Sequence, residues 1–180
     1  IPVQSGCEPY TAVFDIPPGL PSGYVYLWNF GDGYTSSQTS PAHTYIQDGW
    51  YNVFLDISYA AAGSCSTLLQ FPNAVEVKPA PVARFIYDPP APTLNHPEVY
   101  FSDRSTGAIY WYWNFGDNTP EIRDQNPLHV YADTGLYIVN LKVQSQDGCY
   151  DSTYQELHVK DDFQVFIPNA FTPNGSGTND

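Results

Sequence analysis

The chain has 180 residues, 42% of them hydrophobic and 16% aromatic, with 17 prolines; this supports packed cores built from strands and tight turns and excludes a disordered chain. Nineteen acidic residues against six Lys and Arg give a net charge of -13, which repels nucleic acid and anionic membrane surfaces and leaves cations and neutral glycans as open partners. No 18 apolar residues run together, so no membrane span is expected.

The start, Ile1-Pro2-Val3-Gln4, has neither an initiating Met nor the pattern of a signal peptide, and reads as the beginning of a mature or excised piece. The first strongly patterned segment is Tyr24, Tyr26, Trp28 and Phe30 on one parity with Val25 and Leu27 on the other, the signature of a central strand. Gly31-Asp32-Gly33 follows and suits a tight hairpin, because glycine tolerates positive φ. Pro41, His43 and Tyr45 come next, then the β-branched and aromatic run Gly49 to Asp56. Lys78-Pro79-Ala80-Pro81-Val82 is a short, stiff connection.

Beyond it the pattern starts again. Trp28-Asn29-Phe30-Gly31-Asp32 recurs letter for letter as Trp113-Asn114-Phe115-Gly116-Asp117, followed by Asn118 in place of Gly33. Pro41, His43 and Tyr45 recur as Pro127, His129 and Tyr131, and Gly49, Tyr51, Val53 and Leu55 as Gly135, Tyr137, Val139 and Leu141. Two copies of one module follow, expected at residues 1–79 and 80–161, with 162–180 as linker and the start of a further domain. Short strands at this spacing without a helical stretch, and a repeated Trp on a core strand, predict two tandem antiparallel immunoglobulin-like sandwiches, an all-β fold. The proline linker predicts that the modules stand end to end as a stiff rod.

Trp-Asn-Phe-Gly-Asp, then Pro-x-His-x-Tyr, then Gly-x-Tyr-x-Val-x-Leu resembles the PKD domain, twice over and along nearly the whole chain. The resemblance implies a seven-stranded sandwich on a cell surface, with Trp28, Gly31, Asp32, His43 and Tyr45, and likewise Trp113, Gly116, Asp117, His129 and Tyr131, as framework without a catalytic role. The segment Val165 to Gly175 is similar to the opening of the gliding-motility-associated C-terminal domain of Bacteroidetes proteins, although Ser176 stands where that family has Asp. That similarity implies secretion to the outer surface by the type 9 secretion machinery and retention by an outer-membrane anchoring protein.

The candidate sites are weighed on chemistry. Asp32 and Asp117, beside glycine in a hairpin, suit capping of turn N–H groups better than metal binding. His43 and His129 have no adjacent Cys, Ser or second His, and no esterase, zincin or phosphate-loop motif occurs, so no enzymatic chemistry is read. Trp50 is replaced by Leu136 in the second copy and, free of framework duty, is the candidate contact to a glycan or surface protein. Asp103, Asp147, Asp151, Asp161 and Asp162 are the acids that Ca²⁺ would draw on, though no one site stands out. Of three cysteines, Cys7 before the first core strand and Cys65 near the module's end predict a Cys7–Cys65 disulfide, leaving Cys149 as a free thiol. The function expected is a non-catalytic segment of a secreted cell-surface adhesin or filament protein; the alternative is an accessory spacer of a secreted hydrolase.

Overall fold

A computed structural model describes residues 1–16, 23–59 and 66–162. All regular structure in them is β. The first repeat contributes β1 (Gln4–Cys7), β2 (Tyr10–Val13), β3 (Tyr24–Asn29), β4 (Thr35–Ser36), β5 (Ala42–Tyr45), β6 (Gly49–Tyr59) and β7 (Ser66–Lys78). The second contributes β8 (Phe85–Asp88), β9 (Glu98–Asp103), β10 (Tyr110–Asn114), β11 (Leu128–Val130), β12 (Gly135–Gln144) and β13 (Tyr150–Val159).

In the first module one sheet runs β1-β7-β6-β3-β4 and faces the pair β2-β5. Alternation decides which side of each strand enters the core. Tyr26, Trp28 and Phe30 are buried while Val25 and Leu27, on the alternate positions, are exposed. Val53, Leu55 and Ile57 of β6 do the same, meeting Ala12, Phe14 and Tyr45 from the facing pair. The second module repeats the arrangement with sheets β10-β12-β13 and β11-β9-β8. Trp113, Phe115, Val139, Leu141 and Val143 pack there against Phe85, Val99 and Phe101. The two cores share no residue, so each module is a sandwich in its own right.

Two details depart from the sequence expectation. β10 is not a central strand: its ladder runs to β12 alone, and toward the other side it has only an isolated bridge between Trp113 and Ile122. Pro120 lies in that segment and has no N–H to extend a ladder. In addition, β1 runs parallel to β7, pairing Gln4 with Val75 and Cys7 with Lys78. The first strand therefore ends beside the linker, with consequences for Cys7.

The hairpin glycines are required where the chain turns under the sheet. Gly116 has φ +81°, and a Cβ there would sit 2.7 Å from the Ile138 carbonyl oxygen and 2.9 Å from its nitrogen. Gly116→Ala is expected to destabilise the second module by at least about 2 kcal/mol, through left-handed strain plus the backbone clash. Chemical denaturation of the variant measures it.

Candidate functional site: buried His–Asp pairs and a stapled module junction

Each module holds one largely buried His–Asp assembly, built from the repeated motif. After β3 the chain turns at Gly31, whose N–H donates to Asn29 Oδ1 at 2.9 Å. Asp32 Oδ1 then accepts the Tyr34 N–H at 3.2 Å, while its Oδ2 lies 2.6 Å from Nε2 of His43 on β5. The imidazole stacks on Phe30, centroids 4.1 Å apart and nearly parallel, and meets Tyr45 edge-on at 4.7 Å. Tyr45 closes the assembly by donating its hydroxyl to the Phe30 carbonyl at 3.0 Å.

The second module reproduces it. Asp117 Oδ1 accepts from the Thr119 N–H at 3.1 Å and from its hydroxyl at 2.6 Å, and Oδ2 lies 2.6 Å from His129 Nε2. His129 stacks on Phe115 at 3.9 Å, and Tyr131 donates to the Phe115 carbonyl at 3.2 Å. Burial pushes the Asp117 carboxyl up, but its bonds from Thr119 and His129 outweigh that and hold it below the usual carboxylate range. Burial first, and then the neighbouring carboxylates of Asp32 and Asp117, push the Tyr45 and Tyr131 hydroxyls well above their ordinary range, so both remain donors.

Each histidine has an Asp partner that the sequence did not single out as such, and the arrangement is not that of a catalytic dyad. Each carboxylate is shared between a turn and an imidazole sandwiched between aromatic rings, and no Ser or Cys stands beside either histidine in these contacts. The assembly locks a hairpin of one sheet to a strand of the other. Asp117→Ala removes the partners of two Thr119 donors and of His129 and is expected to cost the module about 3 kcal/mol. Equilibrium unfolding in urea reads that loss.

A second buried acid sits at the other end of the module. Asp103 Oδ1 accepts the Ser105 N–H at 2.9 Å and Oδ2 accepts Gln125 Nε2 at 3.0 Å. Burial raises its carboxyl, and these bonds more than offset it, leaving the group below its ordinary value. Because Asp103 and Asp117 are both depressed, their stabilisation is complete above the unfolded carboxylate value near 4 and is lost as pH falls through it toward the folded values. The urea midpoint of the chain is therefore expected to fall between pH 5 and pH 3, and Asp117→Asn is expected to flatten that dependence.

The cysteines bring the modules together. Cys7 is bonded to Cys149, with Cα atoms 5.6 Å apart and a sequence separation of 142. This corrects the Cys7–Cys65 pairing and the free Cys149. Cys7 pairs with Lys78 at the linker end of β7, whereas Ser66, the residue after Cys65, begins that strand. Twelve residues of extended strand separate those ends by about 40 Å, far beyond the ~7 Å that a disulfide spans. Cys65 itself lies outside the described residues. Cys149 is buried at the β12–β13 turn, where its N–H donates to Ser145 Oγ at 3.2 Å.

Carboxylates hold the linker around this bond. Glu8, next to Cys7, accepts the Ala80 N–H at 3.1 Å, and its own N–H donates to the Lys78 carbonyl at 3.0 Å. Asp151, two residues after Cys149, accepts the Ala83 N–H at 2.7 Å. Asp103 thus spends both oxygens and Asp151 its Oδ2 on protein donors, and among the described residues no three His, Cys, Asp or Glu side chains converge as a metal site. Trp50 is 56% exposed, paired across the sheet with Glu76. The segment resembling a sorting domain, from Val165 on, lies outside the described residues.

Paired sandwiches with these repeated turns inside one chain define the class: tandem, non-catalytic immunoglobulin-like modules. The PKD domain profile matches residues 4–69 and again 78–160, and the chain belongs to that family. Among curated proteins it is similar to collagenase ColA of Bacillus cereus, 53% identical over 58 residues, which is 32% of this chain and 6% of the collagenase. It is also similar to the microbial collagenase of Vibrio alginolyticus, 48% identical over 40 residues, 21% of this chain and 5% of that protein. The chain thus matches only about a twentieth of the length of these relatives. Among solved structures, the PKD1 domain of the Vibrio cholerae metalloprotease PrtV is 27% identical, covering 45% of this chain and 98% of that domain, with a TM-score of 0.40.

Proposed function

We propose that this chain is an accessory segment of an exported protein, whose two modules, at residues 1–79 and 80–161, act as a stiff spacer that sets the distance and direction of an attached domain. The observation that carries this reading is the Cys7–Cys149 bond between the modules. A five-residue linker alone still leaves the modules free to swivel, whereas a covalent staple beside it, with Ala80 and Ala83 pinned on either side of Pro81, removes that freedom. A disulfide of this kind also suits an oxidising, extracellular setting.

The attached domain we take to be a hydrolase. The support is that the matching segments in both collagenases are small parts of much longer enzymes. A second reading rests on a different observation, the Val165–Gly175 sequence: a surface adhesin of a gliding bacterium, sorted by type 9 secretion and held by an outer-membrane anchor. Sequencing the parent gene on both sides of this segment separates them. A catalytic domain in the parent supports the hydrolase spacer; a long run of β-modules with a completed C-terminal sorting domain and no catalytic motif overturns it in favour of the adhesin.

A further inference from the structure

The modules repeat their inward residues and diverge on one outward face. Register aligns the β3-β6-β7 face of the first module with β10-β12-β13 of the second. Where the first carries Val25, Leu27, Ser66 and Gln70, the second carries Tyr110, Tyr112, Tyr150 and Tyr154. The framework does not require this change, because the buried faces behind it are the same: Trp28, Val53 and Leu55 against Trp113, Val139 and Leu141.

These tyrosines form a platform. Tyr110, Gln144 and Tyr150 lie in one cross-strand row, Tyr112 and Lys142 in the next, and Asn114, Asn140 and Tyr154 in the third. Tyr110, Tyr150 and Tyr154 are 55%, 50% and 67% exposed. The surface extends about 14 Å along β13 and about 10 Å across three strands. Two of its rings, Tyr112 and Tyr150, are held before any ligand arrives. The Tyr112 hydroxyl donates to Gln144 Oε1 at 3.0 Å, Lys142 Nζ lies 4.2 Å from the centre of the Tyr150 ring, and the Arg123 guanidinium lies 5.2 Å from that of Tyr112.

We propose that the outward face of β10, β12 and β13 binds a neutral polysaccharide. The exposed rings of Tyr110 and Tyr154 pack against the C–H-lined faces of sugar rings. The Asn140 amide offers both donor and acceptor, and the amide N–H groups of Asn114 and Gln144, whose oxygens already accept from the Gly116 N–H and the Tyr112 hydroxyl, add donors, matching sugar hydroxyls that are both. A polyproline segment, the other usual occupant of aromatic surfaces, needs a groove, whereas this is an open three-stranded face. The net charge of -13 disfavours a polyanion. The proposal goes beyond the spacer reading and stands whichever domain the spacer carries.

The test is retention of the intact chain on insoluble cellulose, chitin and xylan, with gelatin as the protein comparator. The expected result is binding to at least one polysaccharide, weakened about tenfold or more by Tyr110→Ala with Tyr154→Ala, a change of about 1.4 kcal/mol or more. Tyr100→Ala, on the opposite sheet, should leave binding unchanged, and the melting temperature of each variant checks folding. Should the pair disturb folding, Tyr154→Ala alone, at the most exposed ring, carries the test. No binding, binding to gelatin alone, or polysaccharide binding indifferent to the tyrosines overturns the proposal.

Discussion

Replacing Cys7 and Cys149 together by serine is expected to leave both sandwiches folded and to free them from each other. Their cores are disjoint, so neither loses packing, and the change falls on the joint. Solution scattering should show a single inter-module arrangement in the native chain and a broadened distribution of dimensions in the variant. Stability should fall as well. The bond encloses 142 residues of sequence, for which loop-closure entropy gives up to about 5 kcal/mol when both modules unfold. The native chain should then unfold with the modules coupled, and the variant with two separable transitions. Unchanged scattering in the variant would mean that Glu8 and Asp151 hold the joint without help.

The second large effect is expected at the core tryptophans. Trp113 is fully buried, packs against Phe85 at 5.1 Å and Phe101 at 5.4 Å, and donates its indole N–H to the Asp124 carbonyl at 2.9 Å. Trp113→Ala should cost about 3–5 kcal/mol from the cavity and lost transfer energy, with the orphaned carbonyl adding to it. A module of this size has about 4–12 kcal/mol in all, so the variant should sit at the edge of unfolding, its melting transition lowered by roughly 20 °C. Trp28→Ala should do the same to the first module, where the ring packs on Phe14 and donates to the Gln38 carbonyl at 3.1 Å. Trp50→Ala, at an exposed site, should change stability by no more than about 0.5 kcal/mol. Differential scanning calorimetry of the three variants tests the contrast.

Much of this fold can be read in the chain because repetition and alternation are local signals. The parity of Tyr26, Trp28 and Phe30 against Val25 and Leu27 matches their burial, and Gly-Asp-Asn at 116–118 foreshadows a turn in which Asn118 takes φ +64°. What the chain hid is non-local. Cys7 and Cys65, near the two ends of the first module's sequence, suggested a bond within that module, but the direction of β1 decides the pairing, and a parallel first strand delivers Cys7 to the linker. The His–Asp pairs were hidden for a similar reason. Asp32 and His43 belong to different sheets, eleven residues apart, and only the sandwich brings them to 2.6 Å. A trace did exist, since both members of the pair recur in order as Asp117 and His129. The tyrosine face needed cross-strand register, which no one strand reveals.

The most direct test of the stapled spacer is peptide mapping of the protein digested without reduction. A disulfide-linked pair containing Cys7 and Cys149 is the predicted result, and it should disappear on reduction. A linked pair containing Cys7 and Cys65 would contradict the account, leaving the joint between the modules without its covalent lock.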